Sequence, residues 1–265
     1  MTTESPATEY AKSSDGTRIA FESAGTGPVL VLVDGAMCHR RFGPAEPFTK
    51  NLSDSYTVVT YDRRGRGESG DSSTYRPELE IDDLRAVVGA VGGTPYVLGF
   101  SSGAGLAYRA AAAGVPMKKL IGYEAPYVGR RGGRDYVADL DRLISEGKNG
   151  KAIDYFMVKM VGAPFFLPVM FRLMRKLWPQ MKQIAPTLRY DARVMGGDFE
   201  VPTAEFATIT VPVLAAWGSK AAPEMSKANA AIAQAIPGAE HRILDGQTHN
   251  VTPEALHPEI VRFFA

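Results

Sequence analysis

The stretch that most constrains this chain is Pro95-Tyr96-Val97-Leu98-Gly99-Phe100-Ser101-Ser102-Gly103, which runs directly into Ala104-Gly105-Leu106-Ala107-Tyr108. An apolar strand former, a G-x-S-x-G turn and a helix former in that order describe a strained strand-to-helix bend with the serine at its top. A side chain at Gly99 or Gly103 would crowd the place where strand and helix pack. The helix that follows aims its unpaired N–H groups and positive dipole end back at the serine. Ser101 is therefore the candidate nucleophile, and the alternative is a Gly/Ser-rich turn without chemistry.

The flanking sequence supplies the context. Arg18–Glu22 alternates like an exposed strand, and Val29–Val33 is a continuous apolar run of the kind found in a parallel sheet covered on both faces. That run ends in Asp34-Gly35-Ala36-Met37. Tyr56–Tyr61 reads as the next buried strand, closed by Asp62-Arg63-Arg64-Gly65-Arg66-Gly67-Glu68-Ser69, whose glycine spacing reads as a structural turn. Helical spacing covers 79–91, the bend's own helix runs to about Ala113, and Lys119–Tyr123 forms another strand that ends at Glu124.

This alternation predicts an α/β fold: a mostly parallel sheet with helices on both faces. From 129 to 205 it stops, and 134–146, 149–161, 165–177 and 178–190 read as helices. A helical cap at 129–205, inserted into a core formed by 1–128 and 206–265, is the expected organisation. Strand 211–217, a helix near 222–235, strand 242–244 and a helix from Pro253 capped by Thr252 complete the core.

Composition narrows the partners. A formal charge of +1 gives no clustered excess of cations to attract nucleic acid. The single cysteine, Cys38, cannot form an internal disulfide, Met1–Tyr10 lacks the pattern of a secretory leader, and no run of about 18 apolar residues offers a membrane span. A cytoplasmic protein with a small-molecule substrate and no membrane contact is expected, and its oligomeric state is left open. Four histidines and one cysteine show no metal-ligand spacing, so neither a metal nor a cofactor is expected. Met157, Met160, Met170, Met174 and Met181, with Phe156, Phe165, Phe166, Phe171 and Trp178, give the cap an adaptable apolar surface. Met37, Met157 and Met160 are the candidate substrate contacts, although such stripes also build cores.

A serine nucleophile needs a base, and a base needs an orienting acid. His249 follows the last strand and precedes the last helix, at the carboxyl edge of the sheet. It is the candidate base. His241 and His257 read as surface residues, and His39 as structural or substrate-facing.

Taken in order, Asp15-Gly16-Thr17, the Asp34-Gly35 turn, Asp62–Ser69, the Ser101 bend, Trp217-Gly218, and Gly246 with His249 resemble an α/β-hydrolase-fold protein of the ester-hydrolase-like branch, over essentially the whole chain. The resemblance implies a cofactor-independent serine hydrolase. It would cleave a carboxylic ester, lactone or thioester with an apolar acyl or ring portion, through an acyl-enzyme intermediate. It also implies an oxyanion hole made by the N–H groups of Ala36 and Ser102, with the Met37 N–H as an alternative donor.

Two departures stand out. Asp34 occupies a position where the family commonly has histidine, with Arg40 and Arg63 as possible partners for its carboxylate. Ala221 stands where relatives usually carry the triad acid. Glu124, at a position from which a subgroup resembling haloalkane dehalogenases supplies the acid, is the preferred substitute, and Glu224 the other. Glu124 could instead pair with an arginine such as Arg130. These departures keep two alternatives open: a lyase, acyl transferase or cofactor-free oxygenase on the same scaffold, or a non-catalytic ligand-binding protein.

Overall fold

A computed structural model describes residues 6–265. The expectation drawn from Met1–Tyr10 rests partly on residues 1–5, which lie outside the described residues. The chain builds one eight-stranded sheet from β1 (Glu9–Lys12), β2 (Arg18–Ala24), β3 (Val29–Val33), β4 (Thr57–Tyr61), β5 (Tyr96–Phe100), β6 (Leu120–Tyr123), β7 (Val213–Gly218) and β8 (Glu240–Leu244), in the order β1-β2-β4-β3-β5-β6-β7-β8. The first two strands run antiparallel to their neighbours, and the other six are parallel. The expected fold class is what forms.

Strand pleating explains why these runs read as uniformly apolar. Side chains alternate between faces, so a strand covered on both sides needs apolar residues at every position. In β3, Val31 and Val33 join the larger core cluster while Leu30 and Leu32 join the smaller one on the opposite face. Helices α1 (Ala45–Leu52) and α11 (Pro253–Phe264) cover the second cluster, whereas α2 (Pro77–Val91), α3 (Ser102–Ala112) and α10 (Pro223–Ala235) cover the first.

Between β6 and β7 the described residues contain helices only: α4 (Tyr136–Ser145), α5 (Asn149–Tyr155), α6 (Phe166–Leu173), α7 (Leu177–Ile184), α8 (Leu188–Val194) and α9 (Thr203–Phe206). The spacing-based helix at 149–161 is straight only to Tyr155, after which Phe156–Val161 forms a π-helical turn.

Three local readings differ from the structure. The start of the chain, where the sequence shows no strand signal, contributes edge strand β1, whose residues are mostly exposed and so carry no apolar signature. Helix α1 carries only three buried positions, too few to stand out by periodicity. The apolar stripe of the insertion divides in two. Met160 and Met181 are core, with Phe156, Met157, Phe171 and Trp178 packed on it, while Phe165, Phe166, Met170 and Met174 are exposed. On α6 the exposed Phe166, Val169, Met170 and Leu173 share one face, because periodicity defines which residues lie together and not which way they look.

Candidate active site

The sheet order reverses beside β3: the chain passes from β3 outward to β4 and then returns to β5 on the other side. In open parallel sheets the crevice at such a reversal, beyond the strands' carboxyl ends, is where ligands sit. The Asp34-Gly35 turn and Ser101 both leave the sheet there, from adjacent strands.

Ser101 holds φ 54° and ψ −126° between β5 and α3, a left-sided conformation that side chains rarely adopt. The motif glycines make the bend possible by close approach. A Cβ on Gly99 would lie 2.6 Å from the Ala104 Cα, and one on Gly103 would lie 2.2 Å from the Val33 carbonyl oxygen. The Ser101 N–H donates to the Tyr123 carbonyl at 2.9 Å, tying the bend to β6.

Glu124 follows β6 directly with φ 48°, and its N–H donates to the Ala216 carbonyl at 3.0 Å. Its carboxylate is 1% exposed and accepts the Gly218 N–H at Oε1 over 2.9 Å. Oε2 lies 2.7 Å from Nδ1 of His249, whose side chain is 44% exposed. A buried carboxylate requires partners of this kind. The Tyr123 hydroxyl donates to the Thr248 carbonyl at 2.6 Å, which anchors the loop carrying His249.

The structure thus joins His249 to Glu124. Glu224 sits exposed in the first turn of α10 and bonds to neither. Among the described residues no hydrogen bond links Ser101 to His249, an arrangement common before substrate tightens such a site. His241 stacks on Trp217, and Nδ1 of His257 contacts Asn51 at 2.6 Å, so both belong to the frame. His39 bridges to Phe42, and burial lowers its pKa despite the pull of Asp62.

Gly35 abuts Ser101, since a Cβ there would lie 2.9 Å from that of the serine. Met37 next to it is buried with φ 62°. The N–H groups of Ala36 and Ser102 are not used in any hydrogen bond among the described residues. Both remain available to an oxyanion.

The model of the alpha/beta hydrolase family matches residues 29–261. The chain belongs to the alpha/beta hydrolase family. A family member from Sphaerobacter thermophilus DSM 20745, described as an alpha/beta hydrolase, is 42% identical, covers 97% of this chain and 100% of its own, and superposes with a TM-score of 0.87. A thermophilic esterase from Thermogutta terrifontis shares the hydrolase fold at 22% identity and TM-score 0.70, over 97% of this chain and 96% of its own. An enol-lactonase from Burkholderia xenovorans LB400 does so at 19% and 0.67, over 96% of each. An uncharacterized hydrolase of Bacillus subtilis (strain 168) is 38% identical over 96 residues, which is 34% of this chain and 34% of that protein, so the match spans about a third of the relative's length.

Two features of this hydrolase differ from the expectation. Neither Arg40 nor Arg63 neutralises Asp34: Arg40 binds Asp62, Glu22 and Glu68, and Arg63 binds Glu80 and Asp191. Asp34 turns toward Cys38 and Gly43, and its Oδ1 has no partner. Burial pushes its carboxyl from the ordinary 3.8 up to about 7, against the attraction of Arg66 and Arg63.

A carboxyl whose folded pKa lies above its unfolded one costs stability that builds up as pH rises from the unfolded pKa and is complete above the folded one. The cost is absent below about pH 4, grows toward pH 7 and then levels off, at no more than about 4 kcal/mol. Asp34→Asn is expected to flatten that part of the Tm-versus-pH curve, and the same slope in variant and parent would contradict it.

The second difference is Asp191 on α8, which the sequence reading did not single out. It is buried and receives Arg63 Nη1, Arg66 Nη2 and the Ser102 hydroxyl, each at 2.7 Å. Burial opposes its charge, yet Arg66 and Arg63 hold its carboxyl below the usual range. A signal existed: three arginines crowd the Asp62–Ser69 turn, and Asp191 is the single carboxylate between Asp154 and Asp198.

Proposed function

We propose that this alpha/beta hydrolase is a serine hydrolase that cleaves a carboxylic ester, lactone or thioester through an acyl-enzyme, without a cofactor. The observation that carries this reading is the buried Glu124 carboxylate bonded to Nδ1 of His249. That contact holds the imidazole in the tautomer whose Nε2 can accept a proton.

In the proposed cycle Ser101 Oγ attacks the substrate carbonyl carbon as its proton passes to His249. The carbonyl oxygen becomes an oxyanion facing the N–H groups of Ala36 and Ser102. The protonated His249, steadied by Glu124, returns the proton to the leaving oxygen or sulfur. Water then gives a proton to the same imidazole and attacks the acyl carbon, and His249 passes that proton to Ser101 Oγ as the carbon–Oγ bond breaks, releasing the acid and restoring the serine. The Glu124 contact with His249 supports hydrolysis over the non-hydrolytic reading by supplying the acid missing at Ala221.

The helices of 129–205 would form the cap. Met37, Met157 and Met160 are the proposed contacts for an apolar acyl or ring portion, Met37 because it follows the Gly35 turn beside Ser101. Two structural neighbours named as an esterase and an enol-lactonase agree with this substrate range.

The reading is tested with p-nitrophenyl esters from acetate to decanoate. A pre-steady-state burst of nitrophenolate, equal to the amount of enzyme and followed by steady turnover, is the expected result. Absence of release above background across the series would count against it.

A further inference from the structure

We propose that Asp191 is a positioning residue that fixes both donors of the oxyanion hole and so makes the helical insertion part of the acyl chemistry. This rests on the serine reading above. The argument starts from one peptide unit. Arg66 Nη1 donates to the Gly35 carbonyl at 2.6 Å, and that carbonyl belongs to the same peptide as the Ala36 N–H. All peptides here are trans, so carbonyl and N–H point in opposite directions. With its oxygen drawn inward to a buried guanidinium, the peptide must turn its N–H away from Arg66.

The same hydrogen bond has an electronic effect. A cation on the carbonyl oxygen polarises the peptide and strengthens its N–H as a donor, as linked hydrogen bonds do in a low-dielectric interior. The Arg66 charge thereby acts on an oxyanion without touching substrate.

Arg66 does not hold itself there. Its Nη2 binds Asp191 at 2.7 Å and its Nε binds Thr187 Oγ1 at 3.0 Å, both partners lying in the insertion. The other oxygen of Asp191 accepts the Ser102 hydroxyl at 2.7 Å, which pins the first residue of α3 and with it the second donor N–H. Arg63, bidentate on Glu80 at 2.6 and 2.8 Å, closes the network by reaching Asp191 and the Asp34 carbonyl, the latter at 3.3 Å. One carboxylate from the insertion therefore secures the Ala36 side and the Ser102 side together. Without it Arg66 would be a buried cation with no carboxylate, because Glu80 neutralises only Arg63.

The test compares Asp191→Asn with the parent and with Asp141→Asn, which breaks the Arg193 ion pair on the same insertion away from the site. Active sites are titrated by the burst, so that kcat refers to functional enzyme. Asp191→Asn is expected to lose kcat by roughly 10- to 100-fold, less than deleting a whole donor, with KM changed by no more than about twofold. Affinity for an alkylboronic acid, whose serine adduct is tetrahedral and anionic, should weaken by the same factor as kcat. Asp141→Asn should match the parent in both.

Arg66→Lys, which keeps the charge but loses the fork, should fall between parent and Asp191→Asn, and it reads the same quantity if Asp191→Asn does not fold. Unchanged kcat per titrated site with a lowered titre would mean a purely structural role and overturn the proposal, as would unchanged boronate affinity. A parent that shows neither burst nor boronate adduct would instead show that the serine reading itself has failed, and the proposal with it.

Discussion

Ser101→Ala is expected to lower ester turnover by a factor on the order of 10⁶ while the protein stays folded. The size follows from what the residue does. Without Oγ there is no acyl-enzyme, and His249 and Glu124 are left with nothing to activate. The residual rate would come from substrate binding and the two backbone donors alone. Alanine is sterically safe at φ 54° only in the sense that serine already endures it, and the backbone bonds that hold the bend, from Ser101 N–H to Tyr123 and from Ala104 N–H to the Ser101 carbonyl, do not involve the hydroxyl. Tm should therefore barely move. A variant that keeps more than about a hundredth of parent turnover would remove Ser101 from the reaction.

Glu124→Gln is the second large effect, with a loss on the order of 10⁴ in kcat. Glutamine nearly matches the shape of glutamate, but its amide can present N–H to Nδ1 of His249 and select the tautomer in which Nε2 no longer accepts a proton. It also gives up the negative charge that offsets the imidazolium during attack. Because the acceptor oxygen toward the Gly218 N–H survives, stability should suffer far less than activity. Glu224→Gln, on an exposed helix turn, should be silent. Measured side by side, a deep loss at 224 and none at 124 would reverse the assignment.

How much of this was readable in advance depends on the range of the forces involved. The strands announced themselves because both faces of β3 to β7 are covered, which demands apolar side chains at consecutive positions. The Ser101 bend was readable because its steric requirement falls on two glycines within five residues. Glu124 was reachable through the family resemblance, which marks Ala221 as the usual acid position and the end of β6 as the substitute, and through the cost of ending a buried strand in a carboxylate.

Asp191 could not be reached that way, since its partners lie 89 residues away at Ser102 and 125 away at Arg66. Nothing local tells an acid in a helix which arginine it will meet. The outward face of α6 was hidden for a related reason: an apolar stripe at helical spacing is the same string whether it meets a core or solvent. Asp34 shows a third limit. Its neighbours in sequence suggested a cation, but the nearby arginines are held by Asp62, Glu80 and Asp191, and the carboxyl is left to burial.

The central claim is that Ser101 is a nucleophile activated by the Glu124-bound His249. Its most direct test is intact-protein mass spectrometry after exposure to a fluorophosphonate, followed by peptide mapping. The account predicts a single adduct on the peptide containing Ser101, formed quickly by the parent, slowly by Glu124→Gln and not at all by Ser101→Ala. No adduct on the parent, or one mapped to any other residue, would contradict it.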